Sequence, residues 1–306
     1  MTGKQNLELI LAGKVPAAPP HWELVFQIEK EMFGIDPGPV ESAVYPSQAD
    51  KDRAVWAHQV KVFHHLVDEL GWAAVPGGYN VEQVGFIKKA LGSKALVPGY
   101  GGDGVFWMPS GQDIMEFVVK LYERPEELHA EARKKCDNQK KSFREMADAG
   151  ADFIIMASDF GFNDGPFISP AHFRDLVTPY LTEIVQAVHD VGLKIILHSD
   201  GCLNQILDQI HSTGIDGYQS VDPQGHMDIK HVRDQYPDWI LMGNVACNML
   251  QDTNEEKIRE SVQYCMTHGG IGKPYIFSTS NCIFKGMPPE SYRIMLDEYH
   301  RMISGA

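Results

Sequence analysis

The spacing His198-x-Asp200, together with Cys282 farther along the chain, is the strongest chemical signal in the sequence. Side chains at i and i+2 that leave a strand can point to one place if the chain curls between them, and Gly201 makes such a curl easier. Imidazole, carboxylate and thiolate groups all bind zinc, and three protein ligands leave one coordination position for a substrate. His198, Asp200 and Cys282 are therefore the candidate ligands of a zinc site. The alternative on spacing alone is a hydrogen-bonded turn at a strand end.

Three other polar residues lie where catalytic side chains would be expected. Asp159 and Asn244 each follow a short apolar run, and Glu23 lies beside the first candidate strand. Carboxylates and amides in such places position substrates or transfer protons. We expect Asp159, Glu23 and Asn244 to act in this way, although Asp159 could instead cap the loop that follows it.

These residues must be positioned by the elements that precede them, and the apolar runs predict which elements those are. Short, nearly continuous apolar runs are typical of strands buried on both faces, and helix-like patterns separate them, which indicates a parallel sheet. In the second half of the chain the predicted strands are 153–156, 193–197, 215–218, 239–242 and 275–277. In the first half the candidates are 22–26, 72–75 and 105–108.

The strand count approaches eight, which favours an α/β fold with a single (β/α)8 TIM barrel over residues 1–306. About residues 1–70 would form an N-terminal helical elaboration plus the first strand. A doubly wound open sheet is the alternative, but no G-x-G-x-x-G follows any candidate strand. In a barrel, the ends of the strands that carry Asp159, His198 and Asn244 share one face, where the chemistry of such folds occurs.

Proline and capping residues predict where several helices begin or break. Ser169 followed by proline predicts a helix start, and Pro179 predicts a kink within that helix. Thr253 has capping-box spacing to Glu256 and predicts the start of another helix. Residues 113–149 are expected to form two helices that are broken near Pro125.

Composition and charge exclude several classes of protein. Among the 306 residues, 43% are hydrophobic and 22% are charged, which is typical of a globular chain. The net charge of −14 argues against a nucleic-acid partner. No apolar run approaches the length of a membrane span, and the first residues lack a signal-peptide core, so we expect a cytoplasmic protein. The five cysteines contain no C-x-x-C pair and do not indicate a disulfide framework. A homo-oligomer is compatible with this composition.

Several short motifs in the second half of the chain recur together in one known family, and they are Gly150-Ala151-Asp152, Asp159, Gly165-Pro166-Phe167-Ile168-Ser169-Pro170, Gly192-Leu193-Lys194, His198-Ser199-Asp200-Gly201, Gly214-Ile215-Asp216-Gly217, Gly243-Asn244 and Pro288-Pro289-Glu290. Through these motifs the chain from about Gly150 onward resembles the uroporphyrinogen decarboxylase superfamily and, within it, the zinc-dependent corrinoid methyltransferases that serve O-demethylase systems. The first half matches only through 20–23 and 75–79.

The resemblance implies a TIM barrel and one of two chemistries. Decarboxylases of tetrapyrroles carry a basic Arg-Gln-Ala-Gly-Arg run near the N-terminus, where this chain has Pro19-Pro20-His21-Trp22-Glu23. The methyltransferases typically bind zinc through His-x-Cys and a later Cys. His198 and Cys282 match that pattern, whereas Asp200 stands where the first Cys would be. An oxygen donor in place of a soft sulfur favours coordination of an oxygen substrate.

The resemblance therefore implies a methyltransferase that uses Zn2+ and a corrinoid (cobalamin) carried on a partner protein. We expect it to demethylate a methoxylated aromatic compound, an aryl methyl ether, and to pass the methyl group to Co(I). Six aromatic residues near the predicted mouth segments could enclose the ring of such a substrate, or could instead be core and loop anchors: Phe26, Tyr79, Phe106, Trp107, Phe160 and Phe162. The alternatives are a methyltransferase of the coenzyme M type that activates a thiol, a metal-free decarboxylase, and a binding protein without activity.

Overall fold

The computed structural model describes residues 1–305, apart from the side chains of residues 39 and 42. The strands are β1 (Gly99–Tyr100), β2 (Ile154–Ala157), β3 (Gly161–Phe162), β4 (Gly165–Pro166), β5 (Ile195–His198), β6 (Gly217–Ser220), β7 (Ile240–Val245) and β8 (Tyr275–Thr279). One parallel sheet has the order β1-β2-β5-β6-β7-β8, while β3 and β4 form an antiparallel hairpin that follows β2. The predicted runs at 153–156, 193–197, 215–218, 239–242 and 275–277 each contribute to a strand of the parallel sheet.

Two extended segments near the N-terminus close this sheet into a barrel: the first barrel segment, 21–26, and the second barrel segment, 73–78. His21 pairs in parallel with Phe277 of β8, and the amide of Ala73 donates to the carbonyl of His21 at 2.9 Å. Ala74 then pairs in parallel with Leu96, and Gly78 pairs in parallel with Gly99 of β1. With the six strands of the sheet, these segments complete a closed ring in which all neighbours are parallel, so the predicted (β/α)8 barrel is confirmed.

Helices surround the barrel and also cover its N-terminal segments. They are α1 (Gly3–Leu11), α2 (Glu29–Phe33), α3 (Gly38–Ser42), α4 (Gln48–Asp68), α5 (Val81–Leu91), α6 (Asp113–Glu123), α7 (Pro125–Asp148), α8 (Pro170–Leu176), α9 (Thr178–Asp190), α10 (Leu207–Ser212), α11 (Ile229–Gln235), α12 (Glu255–Cys265) and α13 (Pro289–Ser304). Within residues 1–305, no helix combines the length and the apolar character that crossing a bilayer requires.

The third barrel strand is not where the sequence predicts it. Residues 105–108 form a loop, although Val105 and Phe106 are buried, and the strand lies instead at β1 and the residues just before it. Pro98, followed by Gly99 and Gly101, makes that region resemble a turn. Its pairing with β2 nevertheless needs only the amides of Gly99 and Gly101, which donate to Phe153 and Ile155. Pro98 removes a donor only on the other side.

The proline signals in the helices predict the structure better than the capping signal does. The expected kink at Pro179 is a break between α8 and α9, and the break near Pro125 separates α6 from α7. The cap of α12 is Asn254, whose side chain accepts from the amide of Lys257 at 3.1 Å, and not Thr253. Thr253 has a φ of 44° and lies one residue before this cap.

A buried carboxylate joins α12 to α13. The side chain of Glu298 is 1% exposed, and it accepts hydrogen bonds from Arg301 on its own helix and from Arg259 and Gln263 on α12. These bonds, led by the one from Arg301, lower the pKa of Glu298 to about 2. Because the folded-state pKa is depressed, the stabilisation is complete above the ordinary pKa and is lost as the pH falls toward the folded value.

We therefore expect Glu298→Gln to lower the stability at pH 7 by on the order of 2 kcal/mol. The difference from wild type should shrink as the pH falls from 5 to 3, because the wild-type carboxylate then takes up a proton on unfolding. Thermal unfolding across this pH range measures the effect. Glu290→Gln, at an exposed position on the same helix, is the matched control. A difference between wild type and Glu298→Gln that does not change with pH would contradict the assignment.

Candidate active site

Three side chains of types that can bind a metal ion meet at the carboxyl ends of two neighbouring strands. His198 ends β5, Asp200 lies two residues later, and Asp159 follows β2. The His198 Nε2 atom lies 3.7 Å from Oδ1 of Asp159 and 3.9 Å from Oδ2 of Asp200, and the ligand atoms of all three residues lie within 4.8 Å of one another. His198 and Asp200 thus come together as the sequence predicts. We call these three residues the donor group.

A tight turn after His198 brings Asp200 back toward the histidine. Gly201 has a φ of 83°, and a Cβ atom at this position would lie 2.2 Å from the carbonyl oxygen of Gly161 in β3. Only glycine fits there, so the predicted role of Gly201 in the curl is confirmed. The amide of Asp200 also donates to Oδ1 of Asp159 at 3.0 Å, which ties the two carboxylate-bearing loops together.

Gln219 orients His198, a role that the sequence analysis did not assign. It lies opposite His198 in the register of β5 and β6, and its Oε1 atom contacts Nδ1 of His198. The Gln219 amide nitrogen faces the carbonyls of Thr279 and Ser280 at 3.4 and 3.3 Å, which requires Oε1 to face the histidine. Nδ1 therefore carries the proton, and the lone pair of Nε2 faces the two aspartates. The only sequence signal was a polar residue at the end of a neighbouring strand.

The donor group has the chemistry of a divalent-cation site. Two carboxylates lie beside one imidazole, and Oδ1 of Asp200 is buried without a hydrogen-bond partner among the described residues. Burial raises the pKa of Asp200, as does the nearby Asp159, while His198 opposes that shift. A bound cation would satisfy the free oxygen and offset the repulsion between the carboxylates. Imidazole and carboxylate are both zinc ligands, so these residues fit the metal that the sequence pattern predicts.

Cys282 does not join His198 and Asp200 in a compact group of ligand atoms within the described residues. It lies after β8 and lines a cavity of about 400 Å³ that Asp200 and Cys247 also border. Burial raises the pKa of the Cys282 thiol to about 12. The neighbouring Asn281 donates to Oδ2 of Asp200, so this loop does contact the donor group. The role of Cys282 as a ligand stays a prediction.

The structure does not bring Glu23 and Asn244 to the donor group. Glu23 is fully buried, and its carboxylate accepts hydrogen bonds from Ser278 and Thr279 of β8 at 2.7–3.2 Å. Asn244 donates to the carbonyl of Val221 at 2.9 Å, and its own oxygen faces the thiol of Cys265. Both side chains are thus held by internal contacts between strands or between a strand and α12. Their predicted catalytic roles stay predictions, and of Glu23, Asn244 and Asp159 only Asp159 belongs to the donor group.

A cavity of about 200 Å³ opens beside His198, and we call it the mouth cavity. Its walls are largely aromatic and apolar, and its polar members include His198 and Asn281. Of the six aromatic residues expected to hold a ring, Tyr79 and Trp107 line it, while Phe26, Phe106 and Phe160 are buried and Phe162 is exposed elsewhere. Trp22 and Tyr100 complete the aromatic lining, which suits a flat apolar ligand.

Comparison with known proteins identifies related chains. The family model described as uroporphyrinogen decarboxylase (URO-D) matches residues 106–302. The uroporphyrinogen decarboxylase of Syntrophotalea carbinolica is 24% identical over 235 residues, which cover 73% of this chain and 65% of that protein. The chloroplastic uroporphyrinogen decarboxylase of Nicotiana tabacum is 25% identical over 223 residues, covering 70% of this chain and 54% of that protein. The match thus spans less than two thirds of these relatives' own length.

A solved structure shares the fold over nearly its whole length. It is a methyltransferase from Methanosarcina mazei, with a TM-score of 0.76 and 16% sequence identity. The superposition covers 99% of each chain. At this level of identity the likeness establishes the architecture, and it agrees with the barrel built from the strand pairing above.

Proposed function

The chain belongs to the uroporphyrinogen decarboxylase family, and from this premise we propose that it is a zinc-dependent methyltransferase. It takes the methyl group from a methoxylated aromatic compound and transfers it to the Co(I) of a corrinoid carried by a partner protein. The observation that carries the proposal is the donor group of Asp159, His198 and Asp200 beside an aromatic cavity at the open end of the barrel.

His198 and Asp200 would hold the zinc, with Asp159 as the third donor because its carboxylate lies nearest to theirs. The alternative third ligand is Cys282, which is the residue that the sequence pattern predicts. Bound zinc would act as a Lewis acid that stabilises the negative charge which develops on the aryl oxygen when its methyl group leaves. Gln219 keeps Nε2 of His198 directed at the aspartates, and Trp107 and Tyr79 hold the ring.

The bond changes follow from this arrangement. The methyl–oxygen bond breaks, its electron pair stays on the aryl oxygen, and the methyl carbon bonds to cobalt, whose Co(I) state supplies the new pair. The phenolate then takes up a proton. Since the methyl group must reach the partner's cobalt, the open mouth of the barrel is where the corrinoid protein would dock.

Decarboxylation of a porphyrinogen is the second candidate, because the curated relatives carry that name. The site of this chain suits it poorly. A polycarboxylate substrate needs cationic side chains, whereas this protein carries a net charge of −14 and has Glu23 in the region of the expected basic run. A cavity of about 200 Å³ is also below the usual range for drug-sized ligands, roughly 300–1,000 Å³, and a tetrapyrrole is larger still.

Methyl transfer can be measured directly. The protein is mixed with a corrinoid protein reduced to Co(I) and with 2-methoxyphenol, and we expect the methylcobalt absorption to appear together with catechol. Removal of metal with a chelator should abolish the reaction, and added zinc should restore it. Consumption of uroporphyrinogen by the metal-free protein, with no methylcobalt formed, would instead support the decarboxylase. Methylation of coenzyme M from methylcobalamin would support the thiol-activating alternative.

The aromatic wall provides a separate test of the substrate class. Trp107 is 49% exposed and lines the mouth cavity, so its replacement should disturb the fold little. We expect Trp107→Ala to raise the KM for 2-methoxyphenol about tenfold, because an aromatic pair contributes about 0.5–1.5 kcal/mol beyond its buried area. The change in kcat should be smaller. Tyr122→Ala, which removes an aromatic side chain exposed on α6, is the control, and equal KM values for both variants would contradict the assignment.

A further inference from the structure

A second cavity adjoins the mouth cavity and shares part of its wall. It encloses about 260 Å³ between the first barrel segment and α4, and we call it the side cavity. The residues that line both cavities are Leu24, Val25, Gly77 and Tyr79. A ligand that is too long for the mouth cavity can therefore extend into the side cavity.

The side cavity contains polar groups without partners. Oε2 of Glu29 and Nε2 of His58 are both buried and have no hydrogen-bond partner among the described residues. Both residues line the side cavity, Glu29 from α2 and His58 from α4. Buried polar atoms in folded proteins are nearly always paired, and an unpaired carboxylate oxygen is costly. Two such atoms at one cavity indicate a place where a ligand supplies the missing hydrogen bonds.

The chemistry of the walls restricts that ligand. Phe26, Val62 and Phe63 form an apolar wall of the side cavity. The part of the ligand that contacts this wall must therefore be apolar. A carboxylate oxygen can only accept a hydrogen bond, so the group that meets Glu29 must be a donor. The net charge of −14 and the Glu29 carboxylate together favour a cation over an anion. A protonated amine on a short apolar arm meets all three requirements, whereas a carboxylate on the same arm can neither donate a hydrogen bond nor supply a positive charge.

We propose that the side cavity binds the end of the substrate that is remote from the reacting group, and that Glu29, assisted by His58, selects substrates carrying an amine at that end. This inference rests on the proposed function, in that the methoxy group of the same molecule lies beside His198. It narrows the substrate class from methoxylated aromatics in general to those with an aminoalkyl arm opposite the methoxy group.

The test compares paired probes by calorimetry. One set is 4-methoxybenzylamine, 2-(4-methoxyphenyl)ethylamine and 3-(4-methoxyphenyl)propylamine, which covers three arm lengths. The matched set has the same arms ending in a methyl group instead of the amine. At pH 7 we expect at least one amine to bind wild-type protein ten or more times as tightly as its partner, and Glu29→Gln to remove that difference. Glu31→Gln, an exposed glutamate on the same helix, should leave it unchanged.

Equal affinities for all pairs in the wild type would overturn the proposal without any variant, as would a preference that survives Glu29→Gln. Binding is measured with and without a chelator, which separates this inference from the proposed function. A preference for the amine that persists in protein unable to transfer a methyl group from any of these ethers would retain the subsite and reject the reaction. Methyl transfer that shows no preference for the amine would reject the subsite alone.

Discussion

Replacing His198 by alanine is expected to leave the purified protein with less than about a tenth of the zinc that wild type binds, and to lower the methyl-transfer rate by more than ~100-fold. Groups that only orient a zinc ligand already affect metal affinity or activity by 10–100-fold, so loss of a ligand should cost more. Metal content measured by mass spectrometry reports the first effect independently of activity. His231→Ala, at an exposed position on α11, is the matched control.

The third ligand is decided by the same measurement on three further variants. If the donor group holds the metal, Asp159→Asn and Asp200→Asn should both lose zinc while Cys282→Ser retains it. If the set predicted from the sequence holds it, Cys282→Ser should lose zinc and Asp159→Asn should retain it. Zinc retained by the His198 and Asp200 variants alike would reject a metal site at this end of the barrel.

Replacing Glu23 by alanine is expected to lower the free energy of unfolding by about 3 kcal/mol or more. Its fully buried carboxylate accepts hydrogen bonds from the hydroxyls of Ser278 and Thr279 and from the amide of Thr279, and it lies 3.3 Å from Nε2 of His21. The substitution would leave these donors buried and unpaired at the seam where the first barrel segment meets β8. Urea denaturation at pH 7 measures the loss, and Glu31→Ala on α2 is the exposed control.

The same variant separates a structural role of Glu23 from the catalytic one that the sequence predicts. A structural role predicts that Glu23→Gln, which keeps the size and part of the hydrogen bonding, recovers much of the lost stability together with activity. Unchanged stability in Glu23→Ala, combined with loss of methyl transfer in both variants, would favour the catalytic role.

Local patterns predict much of this architecture because the signals that define a parallel barrel are themselves local. Apolar runs of strand length in the second half each correspond to a barrel strand, and prolines mark the breaks after α6 and α8. The strand predicted at 105–108 was wrong because that prediction also relied on local signals. Pro98 signals a turn locally, whereas the ring of strands requires a strand there. Closure of that ring depends on pairing between segments far apart in the chain, such as His21 with Phe277. A short stretch of sequence therefore cannot predict it.

The sequence predicts that Asp159, His198 and Asp200 lie at one rim, because all strands of a parallel barrel end on the same side. It did not determine which side chains meet there. The direction of a side chain beyond a strand end depends on how its loop packs, as Gly201 packs against Gly161 and Asn281 against Asp200. Contacts between residues far apart in the chain fix those directions, and for this reason Asp159 joins the donor group while Glu23 and Asn244 are held in the interior.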